Sequence, residues 1–268
     1  MSSTWLTVDL DDKRHVPRYS GHPTRSRHSQ ADIEKTGQDR KLSDQFRQGM
    51  RGFERWLRSH SHPVTMFVIA DLFNSEDFSK WFQHLLEANP KRLTIGCHGL
   101  HHKSWSAWPE DIVGFTHALS EATRCLKKHA GVNFRPWFRA PGGYMAPWMS
   151  SVLAEQGYTV DSSINPSWLV RRKAGKGNSW HEVSDSLQRH GIVSRPWKTK
   201  MSLPVNGPAL FLFPLSLLAR RAWRQAPMPC DAGEVDKLLI NVQEDLTTLY
   251  WHLLDHARNK GKWMPPLR

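Results

Sequence analysis

The sequence predicts an α/β fold in which parallel strands alternate with helices and close into a barrel-like scaffold. Short apolar runs typical of buried strands alternate along the chain with stretches of helical periodicity. Such alternation is typical of βαβ units, whose strands pair in parallel. Polar residues follow several of the runs directly, and the carboxyl ends of the strands are where α/β barrels keep their active sites. These observations predict an enzyme scaffold.

The first half of the chain follows this pattern closely. The predicted strands are Trp5–Val8, Val64–Ile69, Leu93–Ile95, Phe134–Phe138 and Tyr158–Val160. The predicted helices, which have apolar residues at helical spacing, are Phe46–Arg58, Asp77–Leu86, Pro109–Lys128 and Trp148–Gln156. A helix or a turn thus follows each strand and brings the chain back to the edge of the sheet where the strands begin.

The second half is less regular. Residues 13–45 and 170–200 are polar, basic and broken, so we predict long loops there. Ser202–Leu215 contains one or two candidate strands, Leu238–Val242 is predicted as the last buried strand, and Asp245–Lys260 as a closing helix. No internal repeat interrupts the pattern, and we predict a single domain over residues 1–268.

Composition narrows the class of protein. The net charge of +12 suits an anionic partner, but the basic residues are scattered and no recognition module for nucleic acid is present. The three cysteines have no metal-site or disulfide spacing, and the first residues leave no room for a secretion signal. We therefore expect a cytoplasmic protein without a membrane span, for which peripheral contact with a membrane stays open.

A histidine cluster is the sharpest local motif. His98-Gly99-Leu100-His101-His102 follows a predicted strand and places His98 and His102 four residues apart. On a helical turn, residues at this spacing share a face. Two neutral imidazoles and one carboxylate suit zinc or another divalent transition metal and leave coordination positions open. In a chain with 15 histidines the cluster alone could be incidental.

Two further motifs make a site more specific. In an extended strand Asp9 and Asp11 project to the same side, so one can ligate a metal while the other handles a proton. Arg139-Ala140-Pro141-Gly142-Gly143 supplies a cation for a carboxylate and glycine amides that can approach an oxyanion. In isolation the first would be a capped turn and the second an ordinary turn.

The order of these motifs resembles the NodB-homology polysaccharide deacetylases, carbohydrate esterase family 4, over residues 4–263, and within them the branch encoded at O-antigen loci. The resemblance implies a distorted (β/α) barrel, expected here to have seven strands, that removes acetyl groups from N-acetylated sugars with a divalent metal. It makes Asp9 the catalytic base, Asp11, His98 and His102 the metal ligands, Arg139 the partner of Asp9, and Gly142 the oxyanion amide.

The fourth and fifth motifs are expected further along the chain. Tyr158-Thr159-Val160-Asp161 is similar to the fourth, whose aspartate tunes the catalytic acid. The resemblance also favours substrate contacts at four residues: His101, Gly143, Tyr144 and Trp168. The fifth motif is an apolar strand followed by a histidine acid, but Gln243 follows the predicted strand Leu238–Val242. Glutamine cannot act as a general acid.

Several interpretations of the missing acid follow from Gln243. In one interpretation another histidine takes the role, and the candidates are His15, His22, His28 and His101. His252 and His256 fall inside the predicted last helix, so we expect them to be structural or exposed. Alternatively the chain is a pseudoenzyme that binds glycans through an intact metal site. The main prediction is a zinc-dependent deacetylase acting on an acetylated sugar or surface-polysaccharide precursor, with cobalt, nickel, iron or manganese as other metals. A hydrolase of another non-peptide C–N bond is the remaining alternative.

Overall fold

A seven-stranded, entirely parallel sheet forms the centre of the molecule. The computed structural model describes residues 2–27, 41–231, 233–241 and 245–267. Its strands are Ser3–Leu10 (β1), Val64–Val68 (β2), Leu93–Cys97 (β3), Phe134–Phe138 (β4), Val160–Asp161 (β5), Val193–Ser194 (β6) and Leu246–His252 (β9). They lie in the order β6-β5-β4-β3-β2-β1-β9. The predicted seven strands and parallel pairing are confirmed.

The sheet curls into a distorted barrel. Its edge strands are β6 and β9, and the chain just after β6 approaches β9 again: Trp197 bridges Thr248, and the Lys198 amide donates to the Thr248 carbonyl at 3.0 Å. A small antiparallel hairpin, Thr199–Lys200 (β7) and Leu203–Pro204 (β8), follows. The gap between the two edges is therefore spanned by one connecting segment.

Helices cover the outside of the sheet. They are Asp44–Ser59 (α1), Glu76–Ala88 (α2), Ile112–Ala130 (α3), Met149–Glu155 (α4), Trp180–Arg189 (α5), Leu215–Arg224 (α6), Val235–Ile240 (α7) and the short Arg258–Gly261 (α8). Shorter 3₁₀ turns include Trp168–Ala174 and Leu253–Ala257. Burial from both sides explains why the strands read as continuous apolar runs: all five residues of β2 are buried.

The start of α1 ties the helix layer to the end of β1. Ser43 caps α1, its hydroxyl accepting from the Phe46 amide at 3.1 Å. The Ser43 amide in turn donates to the Asp12 carboxylate at 3.0 Å. Asp12, which is buried, therefore anchors the helix beside the strand end that carries Asp9 and Asp11.

Three predictions for the second half are wrong. Leu238–Ile240, predicted as the start of the last strand, belong to helix α7. Residues 246–252 form strand β9 in place of the predicted helix. Short apolar runs fit both strand and buried helix, which explains the first error. The region predicted as a loop over 170–200 contains α5, which begins with a capping box made by Ser179 and Glu182.

Candidate metal centre and active site

The predicted site residues converge at one edge of the sheet. Asp9 lies at the end of β1, His98 directly after β3 and Arg139 directly after β4. In a parallel sheet these carboxyl ends share an edge, so residues distant in sequence become neighbours. All three side chains are buried. The strand ends thus position a compact polar cluster inside an apolar scaffold.

Asp11, His98 and His102 form a group that could hold a metal ion. One ligand atom from each lies within 4.8 Å of the others. The Asp11 carboxylate is 3.3 Å from His98 Nε2 and 3.6 Å from His102 Nε2. The two imidazole rings meet edge to face, with centroids 5.2 Å apart. One carboxylate and two imidazoles are ligands that zinc and similar divalent metals accept.

The unsatisfied polar atoms of this group fit a metal. Asp11 Oδ1 and both ring nitrogens of His102 are buried without a hydrogen-bond partner. Such groups are costly unless something binds them. His98 Nδ1 donates instead to the Arg139 carbonyl at 2.8 Å, which leaves Nε2 as the ligand nitrogen. The three residues predicted as ligands therefore bring unpaired donor atoms close together, while metal binding and the identity of the metal stay predictions.

Electrostatics keep the group ready to bind a cation. Burial acts to raise the pKa of Asp11, but the nearby His102 and His98 hold it well below its usual range. Burial lowers the pKa of His102 to about 3, so its imidazole is neutral at physiological pH. An ionised carboxylate beside a neutral imidazole is the protonation state that metal binding requires.

Asp9 is held by Arg139. The guanidinium Nη1 donates to Asp9 Oδ1 at 2.6 Å. Two further bonds, to the Ser162 carbonyl and hydroxyl, fix the other side of Arg139, and the Phe67 ring lies 4.2 Å from its charge centre. Asp9 and Asp11 therefore have different partners, Arg139 for Asp9 and the two histidines for Asp11, in agreement with the predicted division of roles.

The turn after β4 brings backbone and aromatic groups to the site. Gly142 and Gly143 both have left-handed backbone conformations, with φ of 58° and 73°. A Cβ at Gly143 would lie 2.9 Å from the Trp197 ring, and one at Gly142 would lie 4.0 Å from His102 Cε1. Glycine is therefore favoured at both positions by the positive φ and by the close contacts that a side chain would make. Gly142 lies close to His102, where we predicted an oxyanion amide.

Asp161 supports this turn. Its carboxylate accepts from the Ser163 hydroxyl at 2.6 Å and from the Ser163 amide at 2.9 Å, while the Ser163 hydroxyl also contacts the Ala140 amide at 2.8 Å. Burial raises the pKa of Asp161 to about 6. The contacts place Asp161 behind the Arg139 turn. Its predicted influence on a catalytic acid stays a prediction.

The predicted substrate residues differ in burial and in their contacts. Tyr144 is buried against His22, with ring centroids 5.2 Å apart, and Trp168 is exposed. His101 is half-exposed and faces Asp71 at 3.3 Å. The same carboxylate binds His15 at 2.9 Å, so His101 and His15 share an acidic partner outside the metal group. The predicted substrate contact of His101 stays a prediction.

The prediction for His252 is wrong, because this residue ends strand β9 at the site instead of lying within a helix. Its Nε2 is 3.8 Å from Asp11 Oδ2. Asp255 lies behind it: the carboxylate accepts from the His252 amide at 3.0 Å and approaches Nδ1 at 3.6 Å. Burial opposes protonation, but the hydrogen bond and charge of Asp255, with Asp11 and Asp9, raise the pKa of His252 to about 9.

The sequence contained a signal for this strand. Leu246–His252 is rich in β-branched and aromatic residues, which favour strands over helices. Helical spacing in the same segment led to the wrong prediction. His256, by contrast, is buried and accepts from Trp251 Nε1 at 3.0 Å, as expected of a structural residue. Gln243 and His28 lie outside the described residues.

Comparisons with known proteins agree with this arrangement. The polysaccharide deacetylase family model matches residues 44–160, a segment that includes His98, His102 and Arg139. The resemblance to NodB-homology deacetylases is confirmed there, while the O-antigen branch gains no support. No curated protein sequence matches the chain. Asp9, Asp11 and His252 lie outside the matched segment, and their assignment depends on geometry.

Two solved structures share the fold. One, from Mycobacterium smegmatis, carries a provisional assignment as a polysaccharide deacetylase; it is 16% identical, with a TM-score of 0.53, and the match covers 97% of this chain and 79% of that one. The other is Puue allantoinase, 12% identical, with a TM-score of 0.51 and coverage of 97% and 80%. At these identities the likeness concerns the fold alone. It confirms the predicted distorted barrel.

Proposed function

We propose that this protein is a metal-dependent hydrolase that removes the N-acetyl group of an acetylated sugar, such as a surface-polysaccharide precursor. One observation carries the proposal. The Asp9–Arg139 pair and His252 both lie next to the group formed by Asp11, His98 and His102. A base, a metal site and an acid are the parts that amide hydrolysis needs.

Asp11, His98 and His102 would hold the metal, with zinc as the first expectation. Bound there, a divalent ion would supply Lewis acidity for the amide carbonyl and would make water easier to deprotonate near neutral pH. His98 is oriented for this role by the Arg139 carbonyl, which fixes the ring nitrogen that faces Asp11. The buried, unpaired nitrogens of His102 support the same role.

Asp9 would act as the base. It accepts the proton of the attacking water, whose oxygen forms a bond to the acetyl carbonyl carbon. Arg139 donates to Asp9 Oδ1 and so holds the carboxylate in a fixed orientation. The Gly142 amide would then donate to the oxygen that gains negative charge.

His252 would act as the acid. The C–N bond breaks as the sugar nitrogen takes a proton from His252 Nε2, which leaves acetate and a free amine. Burial opposes protonation of His252, but the hydrogen bond and charge of Asp255 raise its pKa, which favours the imidazolium that can donate. With His252 as the proposed acid, Gln243 is no longer an argument for the pseudoenzyme alternative.

A second candidate is hydrolysis of a different non-peptide C–N bond. The shared fold with an allantoinase favours it, because the same residues could activate water against a ring amide. The two candidates differ in their products. An N-acetyl substrate yields acetate and a new primary amine, whereas a ring amide yields a carboxylate without acetate.

Acetate release from a panel of N-acetylated sugars tests the proposal. We expect release by zinc-loaded protein, loss with a chelator, and recovery when zinc is restored. D9N should keep its zinc but lose activity by about 10²–10⁴-fold, since only the base is removed. H98A should lose both zinc and activity. Full activity in chelator, or in H98A, would contradict the proposal.

A further inference from the structure

Cationic side chains converge beside the candidate active site, at the turn that contains Gly142 and Tyr144. Lys173 Nζ donates to the Gly142 carbonyl at 2.7 Å and lies 5.3 Å from the centre of the Tyr144 ring. Arg25 donates to the Tyr144 hydroxyl at 3.3 Å. Because Gly142 approaches His102, this cluster is about one side chain from the metal ligands.

Acidic partners for this charge are missing from the part of the chain that the structure describes. There, no carboxylate lies within ion-pair distance of Arg25, Arg172 or Lys173. Burial together with the charges of Arg25 and Arg172 lowers the pKa of Lys173 to about 8. Burial lowers the pKa of His22, and the charges of Arg25, Arg172 and Lys173 lower it further. Unneutralised like charges oppose one another, and a bound anion would relieve that repulsion.

The segment that carries these cations also offers a surface for a sugar. Arg172 and Lys173 belong to the 3₁₀ turn Trp168–Ala174, which begins with Trp168, 54% exposed. Aromatic rings and charged groups on one short element can contact the face of a sugar and its substituent together. The sequence from residue 162 to 181 contains no Asp or Glu.

We propose that Arg25, Arg172 and Lys173 bind an oxyanion on the substrate, either a sugar carboxylate or a phosphate. This inference rests on the proposed function, because the acetyl group is assumed to reach the metal site from the same sugar. It narrows the substrate class to acidic acetamido sugars. Charge-assisted hydrogen bonds to such an oxyanion are stronger than neutral ones.

Steady-state kinetics test the subsite. The substrates are a neutral N-acetylhexosamine, an N-acetylated hexuronate and an N-acetylhexosamine 1-phosphate, which separate carboxylate from phosphate. R25M and R172M should raise KM for the preferred acidic sugar by about tenfold or more while kcat changes little. The neutral sugar should be unaffected. R171M, on the same turn but outside the cluster, is the control and should match the wild type.

Anion binding separates failure of the subsite from failure of the proposed function. Calorimetric titration of the holoenzyme with inorganic sulfate should show binding that R172M weakens and R171M and H98A retain. Sulfate binding of this kind without turnover of any acetylated sugar would reject the proposed function and keep the subsite. Equal KM values for neutral and acidic sugars, or sulfate binding unchanged in R172M, would overturn the subsite.

A separate observation concerns the outer surface at the start of α6. Leu212, Phe213 and Leu217 are 56%, 82% and 64% exposed. Arg220 and Arg221 are exposed on the following turn of the same helix. Large apolar side chains that project together into solvent beside cations are typical of surfaces that contact membranes.

The charge around this surface has one sign. From residue 186 to 230 the sequence contains no Asp or Glu, while it contains several arginines and lysines. Lys262, from the far end of the chain, lines the same depression as Arg220. Clusters of this kind are attracted to the negative surface of anionic bilayers.

A chain of side-chain contacts links this surface to His252. Phe211 precedes Leu212 and stacks beneath Arg258, whose charge centre is 3.7 Å from the ring. Arg258 Nε donates to Asp255 at 3.2 Å, and Asp255 accepts from the His252 amide. Three contacts therefore connect the exposed loop to the histidine at the end of β9.

We infer that the surface of Leu212, Phe213, Leu217, Arg220 and Arg221 docks onto an anionic lipid bilayer. The apolar side chains would enter the boundary between headgroups and acyl chains, while the arginines contact the headgroups. This inference rests on the exposure and charge of the surface. It is independent of the chemistry proposed for the site.

Cosedimentation with vesicles tests this surface. Binding should require phosphatidylglycerol in phosphatidylcholine vesicles and should weaken with salt. F213S/L217S and R220E/R221E should each reduce it by about tenfold or more, whereas V132S, which changes an exposed apolar residue elsewhere, should not. Equal binding to neutral vesicles, no binding, or a wild-type dimer that F213S/L217S dissociates would overturn the inference. Binding to nucleic acid through the same arginines in preference to vesicles would also contradict it.

Discussion

His252 lies between two carboxylates, Asp11 on the metal side and Asp255 behind it. The Asp255 carboxylate also accepts from the His252 backbone amide, so it fixes both the ring and the end of β9. Its hydrogen bond and charge are the largest influences that raise the pKa of His252 to about 9, against the opposing effect of burial. Asp255 is therefore a positioning residue for the proposed acid.

D255N should shift the pH profile of the zinc-loaded enzyme. A general acid must be protonated, so kcat/KM falls as the pH rises through the pKa of His252. Without the Asp255 charge that pKa is lower, and the falling limb should move toward lower pH by about one unit. D185N, which removes an exposed carboxylate on α5, should leave the limb in place. An unchanged limb in D255N would rule out Asp255 as the residue that sets the acid's pKa.

At the scale of elements, strand ends and turns fix the site. The Pro141–Tyr144 turn is possible because Gly143 has a positive φ and lies under the Trp197 ring, which itself donates to the Ser162 carbonyl at 2.6 Å. Trp197 belongs to the segment that connects the two edges of the barrel. The turn, the edge connection and Arg139 therefore support one another.

G143A should destabilise the protein through two effects. A left-handed conformation costs an L-residue about 1–2 kcal/mol, and the close approach of a Cβ to the Trp197 ring adds about 1–3 kcal/mol. G177A has the same sign of φ but no atom near its Cβ, so it shows the backbone cost alone. Urea unfolding of both variants measures the difference. Equal losses would mean that Trp197 moves aside freely.

The elements differ in how far the sequence could predict them. Asp9, His98 and Arg139 each follow an apolar strand of the regular first half, and parallel pairing brings such strand ends together. The late segment could not be assigned this way, because Leu238–Ile240 and Leu246–His252 are both short apolar runs. Only tertiary pairing of β9 with β1 decides between them. The support of His252 by Asp255 follows from that pairing and could not be predicted before it.

At the scale of the whole molecule, the metal site connects separate parts of the chain. Asp11 follows β1, while His98 and His102 flank the loop after β3. No helix among the described residues is long and apolar enough to cross a membrane. The single domain over residues 1–268, the cytoplasmic location and zinc itself stay predictions.

Zinc should therefore stabilise the entire fold. A ligand that binds only the folded state at about 100 times its Kd adds about 2.7 kcal/mol to the free energy of unfolding. Thermal unfolding should move upward by several degrees with zinc and return with chelator. H102A should abolish this response, whereas H101A should keep it, because His101 faces Asp71 and not the ligand group. A zinc response that persists in H102A would place the metal elsewhere.

The most direct test of the account is the turnover of H252N at equal zinc content. Zinc and acetate release are measured on the same preparations of wild type and variant with one N-acetylated sugar. If His252 is the acid at an intact metal site, H252N binds zinc in the same ratio as wild type and releases acetate about 10²–10⁴-fold more slowly. Release at the wild-type rate would show that another group protonates the leaving nitrogen. Loss of zinc would show that His252 is a ligand.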